Sequence, residues 1–135
     1  MFDVITIGTA THDVFFSFPH GKAYCFTEGS KNEVEKPIFA NGGGAVNAGV
    51  TFTRQGFKTA VLCRIGDDYT GKEVWQELEK EKIDYWKVKD EKLGTGYATI
   101  LLSPSGERTI LAYRGAAEDL ALKEIPFDEL KCRWL

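Results

Sequence analysis

Short apolar runs and amphipathic segments alternate along the first two thirds of the chain. Apolar runs are typical of buried strands, and they predict strands over residues 4–8, 60–63 and 85–88. Apolar positions that recur every three to four residues predict helices over residues 45–55 and 71–82. This alternation of strand and helix predicts an α/β fold whose parallel sheet has right-handed crossovers.

Two further segments have the pattern of β-hairpins, with apolar strands on either side of turn residues. Because they interrupt the alternation of strand and helix, we expect them to form a separate small sheet, inserted after the first strand and again after the third. A short helix at 126–130 and the start of another strand at 132–135 complete the prediction. In the first hairpin we expect a strand at residues 15–18, a turn at 19–22 and a second strand at 23–26. In the second hairpin we expect a strand at residues 96–103, a turn at 104–106 and a second strand at 108–113.

Composition narrows the class of protein. The 135 residues fit one domain, and a net charge of −3 leaves no broad basic field for nucleic acid or an anionic membrane. No apolar run approaches the roughly 20 residues that cross a bilayer, and Asp3 stands where a signal peptide would be basic. We therefore expect a cytoplasmic protein. Its three cysteines, which fit neither a disulfide framework nor a zinc site, are Cys25, Cys63 and Cys132.

Three glycine segments are candidates for binding a phosphate or another small molecule. Residues 7–12 lack the second and third glycines of a dinucleotide fingerprint. Residues 66–73 have the spacing of a P-loop, but Glu73 replaces the Ser or Thr that holds Mg²⁺. Asp67 and Asp68 would also repel phosphate, so the start of a helix is the better interpretation of this segment.

The third segment, Asn41-Gly42-Gly43-Gly44, precedes the first predicted helix. Its glycines would let the backbone approach a ligand and leave amides free at the helix start. Asn47, one turn into the helix, can donate and accept hydrogen bonds. A polyhydroxy or anionic small molecule would suit these groups. A flexible turn with close helix–sheet packing explains the same residues, and both interpretations stay open.

Residues 42–49, together with Arg64-Ile65-Gly66-Asp67-Asp68 and Gly71, resemble the first signature of the ribokinase-like (PfkB) sugar kinase family. Asp13, which follows Ile7-Gly8, and the second hairpin support the resemblance, which runs from residue 4 to about residue 115. It implies a Rossmann-like ribokinase fold, with a parallel sheet flanked by helices and a small β-sheet lid built from residues 14–40 and 95–114. Only the N-terminal half of such a kinase is matched.

The resemblance also implies a substrate site. Asp13 would hydrogen-bond substrate hydroxyls, since a carboxylate can accept from two adjacent hydroxyls. On the residues alone, a turn residue after a strand is the favoured interpretation of Asp13, and a solvated residue at a strand end is that of Arg114. His12 is given no catalytic role. The residues expected to complete the sugar site are Gly43, Gly44 and Asn47, and the lid candidates are Thr99, Leu101, Tyr113 and Arg114.

The family's catalytic Asp, in a Gly-Ala-Gly-Asp helix start, and nearly all its ATP-binding groups have no counterpart in this sequence. We therefore expect no catalytic, cofactor-binding or metal-binding residue here, and assign ATP and Mg²⁺ to a full-length parent. The function implied is the substrate-binding half of an ATP-dependent sugar kinase, inactive alone. The alternatives are half of a nucleoside kinase, or a non-catalytic sugar-binding or dimerisation module. The lid strands are apolar on both faces, which predicts a homodimer through the lid.

Overall fold

Two four-stranded sheets organise the chain in a computed structural model that describes residues 1–19 and 26–135. The first sheet is entirely parallel and has the order β5-β4-β1-β8. Its strands are β1 (Phe2–Gly8), β4 (Thr59–Gly66), β5 (Asp84–Asp90) and β8 (Cys132–Trp134). The second sheet has the order β3-β2-β6-β7 and consists of β2 (Thr11–Ser17), β3 (Lys36–Gly42), β6 (Gly96–Leu102) and β7 (Arg108–Tyr113).

Two helices, α1 (Gly44–Arg54) and α2 (Tyr69–Lys80), pack beside the parallel sheet. The strand β4 is buried along nearly its whole length because β1 and β5 pair with it on either side. Helix α1 approaches this sheet closely, since a Cβ at Gly49 would lie 2.5 Å from the Val61 side chain. The main hydrophobic core includes Val46, Val61, Ile65, Val74, Trp75 and Leu78.

The α/β class, the parallel sheet and the separate second sheet are confirmed. Helix α2 begins at Tyr69 rather than residue 71, because the Asp68 side chain accepts from the Gly71 amide and so caps the helix earlier. The helix predicted at 126–130 is wrong. That segment consists of turns, in which the amide of Glu129 donates to the carbonyl of Pro126. Five residues close too few helical hydrogen bonds to offset nucleation.

The first predicted hairpin is also corrected. Residues 15–17 belong to β2, whose antiparallel partner is β3, a strand that the pattern did not predict. Except for Pro19 and Phe26, the predicted turn and return strand lie outside the described residues. The strand β2 pairs on its other edge with β6 in parallel, so the two inserted segments share one mixed sheet. Within residues 1–19 and 26–135, the helices lack the length and the apolar character of a membrane span.

The Asp68 side chain joins α2 to the segment that leads into β6. Its Oδ1 accepts from the Thr95 hydroxyl at 2.6 Å and from the Gly71 amide at 2.8 Å, and its Oδ2 accepts from the Thr95 amide at 2.7 Å. Partial burial would raise the pKa of Asp68, but the hydrogen bonds from Thr95, Gly71 and Thr70 outweigh it and hold the pKa below its ordinary value. The ionised carboxylate therefore stabilises the folded chain.

We expect Asp68→Asn to lower the free energy of unfolding at pH 7 by about 1–3 kcal/mol, because the amide replaces an acceptor with a donor facing Thr95. A carboxyl with a lowered pKa stabilises the fold above its unfolded pKa of about 3.9, and this stability is lost as the pH falls further. The variant should thus differ less from the wild type at pH 3 than at pH 7. Urea denaturation at both pH values measures this, with the exposed Glu91→Gln as control. An equal difference at both pH values would contradict the assignment.

Candidate functional site

Three chain segments meet at the carboxyl end of β1, where ligands commonly bind in α/β folds. They are the loop that leaves β1, the start of β2, and the glycine loop that joins β3 to α1. Gly43 has φ of +93°. A Cβ at this position would lie 2.7 Å from Ala10 Cα and closer still to the Thr9 carbonyl oxygen. A side chain at residue 43 would therefore push the two loops apart, so glycine is needed here.

Thr9 accepts hydrogen bonds from two of the backbone amides at the start of α1. Its hydroxyl accepts from the Gly44 amide at 2.9 Å, and its carbonyl accepts from the Ala45 amide at 3.1 Å. The glycine loop was predicted to leave amides free for a ligand, and for these two amides that prediction is wrong. Thr9 caps α1 in place of the side chain that Gly43 lacks. The threonine after Gly8 was the signal in the sequence that could have indicated this role.

Asp13 lies in β2 beside the glycine loop. Its Oδ1 is buried and has no hydrogen-bond partner among the described residues. A Cβ at residue 42 would collide with Asp13 Oδ2, so the glycine at this position leaves space for the Asp13 carboxylate. Burial raises the pKa of Asp13, although the Thr11 hydroxyl and His12 act in the opposite direction. A buried acceptor without a partner is costly, and a hydroxyl donor from a bound molecule would satisfy it.

Asn47 presents its amide at the first turn of α1. The residue is exposed, and its side chain makes no hydrogen bond within residues 1–19 and 26–135. Its backbone does take part in the helix, since the Asn47 amide donates to the Gly43 carbonyl at 2.9 Å. The side chain is thus held by a rigid element and is available to donate and to accept.

The register of the second sheet separates Asp13 from three of the predicted lid residues. Residues aligned across neighbouring strands share a face, whereas consecutive residues of one strand alternate between faces. Thr99 aligns with Val14, Leu101 with Phe16, and Tyr113 with Tyr97, so Thr99, Leu101 and Tyr113 lie on the face opposite Asp13. Arg114 follows β7, is largely exposed, and lies 3.9 Å from Glu118 as an ion pair. The structure therefore places Thr99, Leu101 and Tyr113 away from the Asp13 carboxylate, and Arg114 at the end of β7.

A row of alanines flanks Asp13 instead. Ala40 of β3 and Ala98 of β6 align with Asp13, and Ala112 of β7 aligns with Ala98. These small side chains leave space on the sheet surface next to the carboxylate. Sequence reasoning missed them because the parallel pairing of β2 with β6 joins distant segments. Only that register identifies which alternate residues share the face of Asp13.

The P-loop-like segment is the start of a helix, as predicted. Asp68 accepts the Gly71 amide that a bound phosphate would need, and the exposed Asp67 pairs with Lys89 at 2.8 Å. Within the described ranges, no three metal-binding side chains lie close enough together to hold an ion. Cys63 and Cys132 are free thiols, and burial raises the pKa of Cys63 to about 12. Cys25 lies outside the described residues.

The sequence profile of the pfkB family of carbohydrate kinases matches residues 1–133. The chain belongs to this family. A 5-dehydro-2-deoxygluconokinase of Geobacillus kaustophilus is 30% identical over 107 residues, which cover 73% of this chain and 32% of that protein. A protein of Arabidopsis thaliana named fructokinase-7 is 30% identical over 106 residues, which cover 76% of this chain and 31% of that protein.

Solved structures of sugar kinases have the same fold. The structure of Arabidopsis thaliana ribokinase complexed with ribose and ATP superposes with a TM-score of 0.72 at 21% identity, covering 84% of this chain and 36% of that one. The chain thus spans about a third of the length of the pfkB relatives it matches.

We expect Gly43→Ala to lower the free energy of unfolding more than Gly56→Ala. Both glycines have φ near +90°, but a Cβ at Gly56 meets nothing within 4 Å, whereas one at Gly43 meets Thr9 and Ala10. Gly56→Ala should cost about 1 kcal/mol for its backbone strain, and Gly43→Ala about 1–3 kcal/mol more for the collision. Urea denaturation measures both values. Equal losses would show that the loop relaxes freely and that close packing does not determine residue 43.

Proposed function

We propose that this chain is the substrate-binding portion of an ATP-dependent sugar kinase, in which Asp13 accepts hydrogen bonds from hydroxyls of the sugar. The observation that carries the proposal is the buried, unpartnered Asp13 Oδ1 beside a row of alanines. A carboxylate can accept from two neighbouring hydroxyls, and such charge-assisted bonds are strong and directional. The alanine side chains give a sugar ring room against the sheet.

The remaining contacts are proposed from the same corner of the fold. Asn47 is the second polar contact, since its amide is exposed at a fixed helix start. Gly43 and Gly44 contribute close backbone approach rather than free amides, because Thr9 accepts from Gly44. The second sheet would act as the lid over this corner. Thr99, Leu101 and Tyr113 are left out of the site because they share the opposite face, and Arg114 remains a candidate only at the sheet's end.

The P-loop-like segment does not fit ATP or Mg²⁺. In the segment with P-loop spacing, Asp68 takes the Gly71 amide and Glu73 stands at the magnesium-binding position. We therefore propose that a longer parent protein supplies the ATP site, the magnesium site and the catalytic base, and that this chain alone transfers no phosphoryl group. A non-catalytic module or half of a nucleoside kinase is the alternative. A Gly-Ala-Gly-Asp segment in frame with this sequence would favour a kinase over a non-catalytic module.

We also propose that the protein is cytoplasmic, which accords with the free thiols of Cys63 and Cys132.

We also propose that the second sheet mediates self-association. Its edge strands β3 and β7 carry large apolar side chains that are at least half exposed. Three of them, Phe39, Leu111 and Tyr113, share the face opposite Asp13, so a second copy could cover them without closing the proposed sugar site. An exposed edge strand is also prone to pair with another chain. A two-fold pairing of identical sheets is the commonest closed arrangement.

We expect Asp13→Asn to lower the affinity for a sugar about 10- to 100-fold without lowering the free energy of unfolding, because the buried charge stabilises a ligand rather than the fold. Isothermal titration calorimetry against pentoses, hexoses, keto-sugar acids and nucleosides would identify the ligand. Asp84→Asn, which changes an exposed carboxyl at the start of β5, is the matched control. Equal affinity in Asp13→Asn and the wild type would contradict the proposed role. A preference for nucleosides would favour the alternative.

For the assembly, we expect light scattering at micromolar concentration to give twice the 15.1 kDa mass of the chain. Leu111→Lys should shift the mass to that of a monomer, because it places a charge in the proposed interface. Leu122→Lys makes the same change at a residue that is 77% exposed and outside the second sheet, and it should leave the dimer intact. A monomeric wild type would refute self-association. A dimer that survives Leu111→Lys would move the interface elsewhere.

A further inference from the structure

His12 and Asn41 connect the second sheet to α2 through two hydrogen bonds. His12 Nδ1 lies 2.9 Å from Asn41 Oδ1, and Asn41 Nδ2 donates to the backbone carbonyl of Glu73 at 3.2 Å. His12 is only 8% exposed, and its ring lies between those of Phe39 and Tyr97, with centroids 6.2 and 6.0 Å away. The proposed sugar site leaves this buried imidazole without a role.

The direction of each hydrogen bond follows from its neighbour. Because Asn41 Nδ2 donates to the Glu73 carbonyl, the Oδ1 that faces His12 is an acceptor. His12 therefore carries a proton on Nδ1 and donates it to Asn41. A substitution that removes either donor leaves a buried acceptor without its partner. The pair thus forms a directional link from β2, through β3, to the backbone of α2.

This link lies directly behind the Asp13 carboxylate. Asp13 follows His12 in β2 and points to the opposite face of the sheet, and Gly42 follows Asn41 in β3. Gly42 is the residue whose missing side chain makes room for Asp13 Oδ2. The positions of these two strand ends relative to each other therefore set the space around the carboxylate. The hydrogen bond from Asn41 Nδ2 to the Glu73 carbonyl joins the end of β3 to α2.

We propose that His12 is a positioning residue, which acts through Asn41 to fasten the base of the second sheet to α2 and so keeps the Asp13 carboxylate in its partly buried place. Its expected effect on sugar affinity rests on the function proposed for Asp13. The fastening itself follows from the contacts alone. His12 touches no substrate in this proposal, and it affects the substrate only by way of Asn41 and the position of Asp13.

Four variants test the proposal. His12→Phe keeps a ring of similar size but removes the donor, and His12→Asn places an amide donor near the position of Nδ1 as a conservative rescue. Asn41→Leu breaks the link while leaving His12 in place. Val14→Ala is the matched control, because Val14 is 2% exposed on the same face of β2 and its loss weakens packing without touching the link.

Amide hydrogen exchange, read by mass spectrometry, measures the fastening without any ligand. His12→Phe and Asn41→Leu should speed exchange at residues 11–13 and 40–42 about five- to tenfold, with β4 unchanged, and His12→Asn should restore most of the protection. Val14→Ala should not reproduce this local pattern. Unchanged exchange in both link variants, or the same pattern in Val14→Ala, would overturn the proposal.

The position of Asp13 is read separately, by carboxyl ¹³C NMR titration of Asn41→Leu. Release of the strand ends would hydrate the carboxyl and lower its pKa toward the ordinary value, so an unchanged pKa would overturn the positioning role. Where a sugar binds the wild type through Asp13, its affinity should fall about five- to tenfold in His12→Phe and recover in His12→Asn. If no sugar binds the wild type, the proposed function fails. The exchange and titration results then still decide whether His12 positions Asp13.

Discussion

The carboxylate of Asp68 links the parallel sheet to the segment that enters the second sheet. It accepts the amide and the hydroxyl of Thr95, and the same hydroxyl accepts the amide of Gly66 at the end of β4 at 3.1 Å. Three elements, the end of β4, the start of α2 and the approach to β6, therefore share one network of satisfied polar groups. Such a network in a partly buried setting fixes geometry more strongly than its separate bonds would. The segment that leads into β6 is thus fixed to the end of β4 and to the start of α2.

Arg64 provides a second attachment, on the segment that returns from the second sheet. Its guanidinium pairs with Asp90 and with Glu124, each at 2.8 Å, while the other oxygen of Asp90 accepts the amides of Lys92 and Leu93. Those two amides, with Arg64, hold the pKa of Asp90 below its ordinary value. Arg64 thereby joins β5 to the 3₁₀ turn at Leu122–Glu124. Removal of one partner from such a pair leaves the other charge poorly solvated, so the segments that flank the second sheet are held together.

Hydrophobic patterns within short segments predicted the individual strands and helices that those segments form. The apolar runs of β1 and β4 and the helical spacing of Val74 and Leu78 were sufficient, because each reports burial of one element. The strand β3 was missed because Lys36-Pro37 and Asn41-Gly42 at its ends have loop-like composition. The residues of the candidate site also differ in how far the sequence could predict them. The family resemblance pointed to Asp13 and Asn47, whereas the Thr9 cap and the alanine row depend on contacts between distant segments.

The faces of the second sheet show why this division matters for function. Side chains alternate along a strand, so the neighbouring residues His12 and Asp13 point to opposite faces of the second sheet. His12 faces α2, and Asp13 faces the proposed sugar site. A slip of one residue between β2 and β6 would align Thr99 with Asp13 and remove Ala98 from its side. The polar site and the apolar face of Phe39, Leu111 and Tyr113 therefore depend on one register. Bonds at the base of the sheet, from Asp68 and from Asn41, favour that register. Substrate recognition by Asp13 would accordingly be decided by residues that do not touch the substrate.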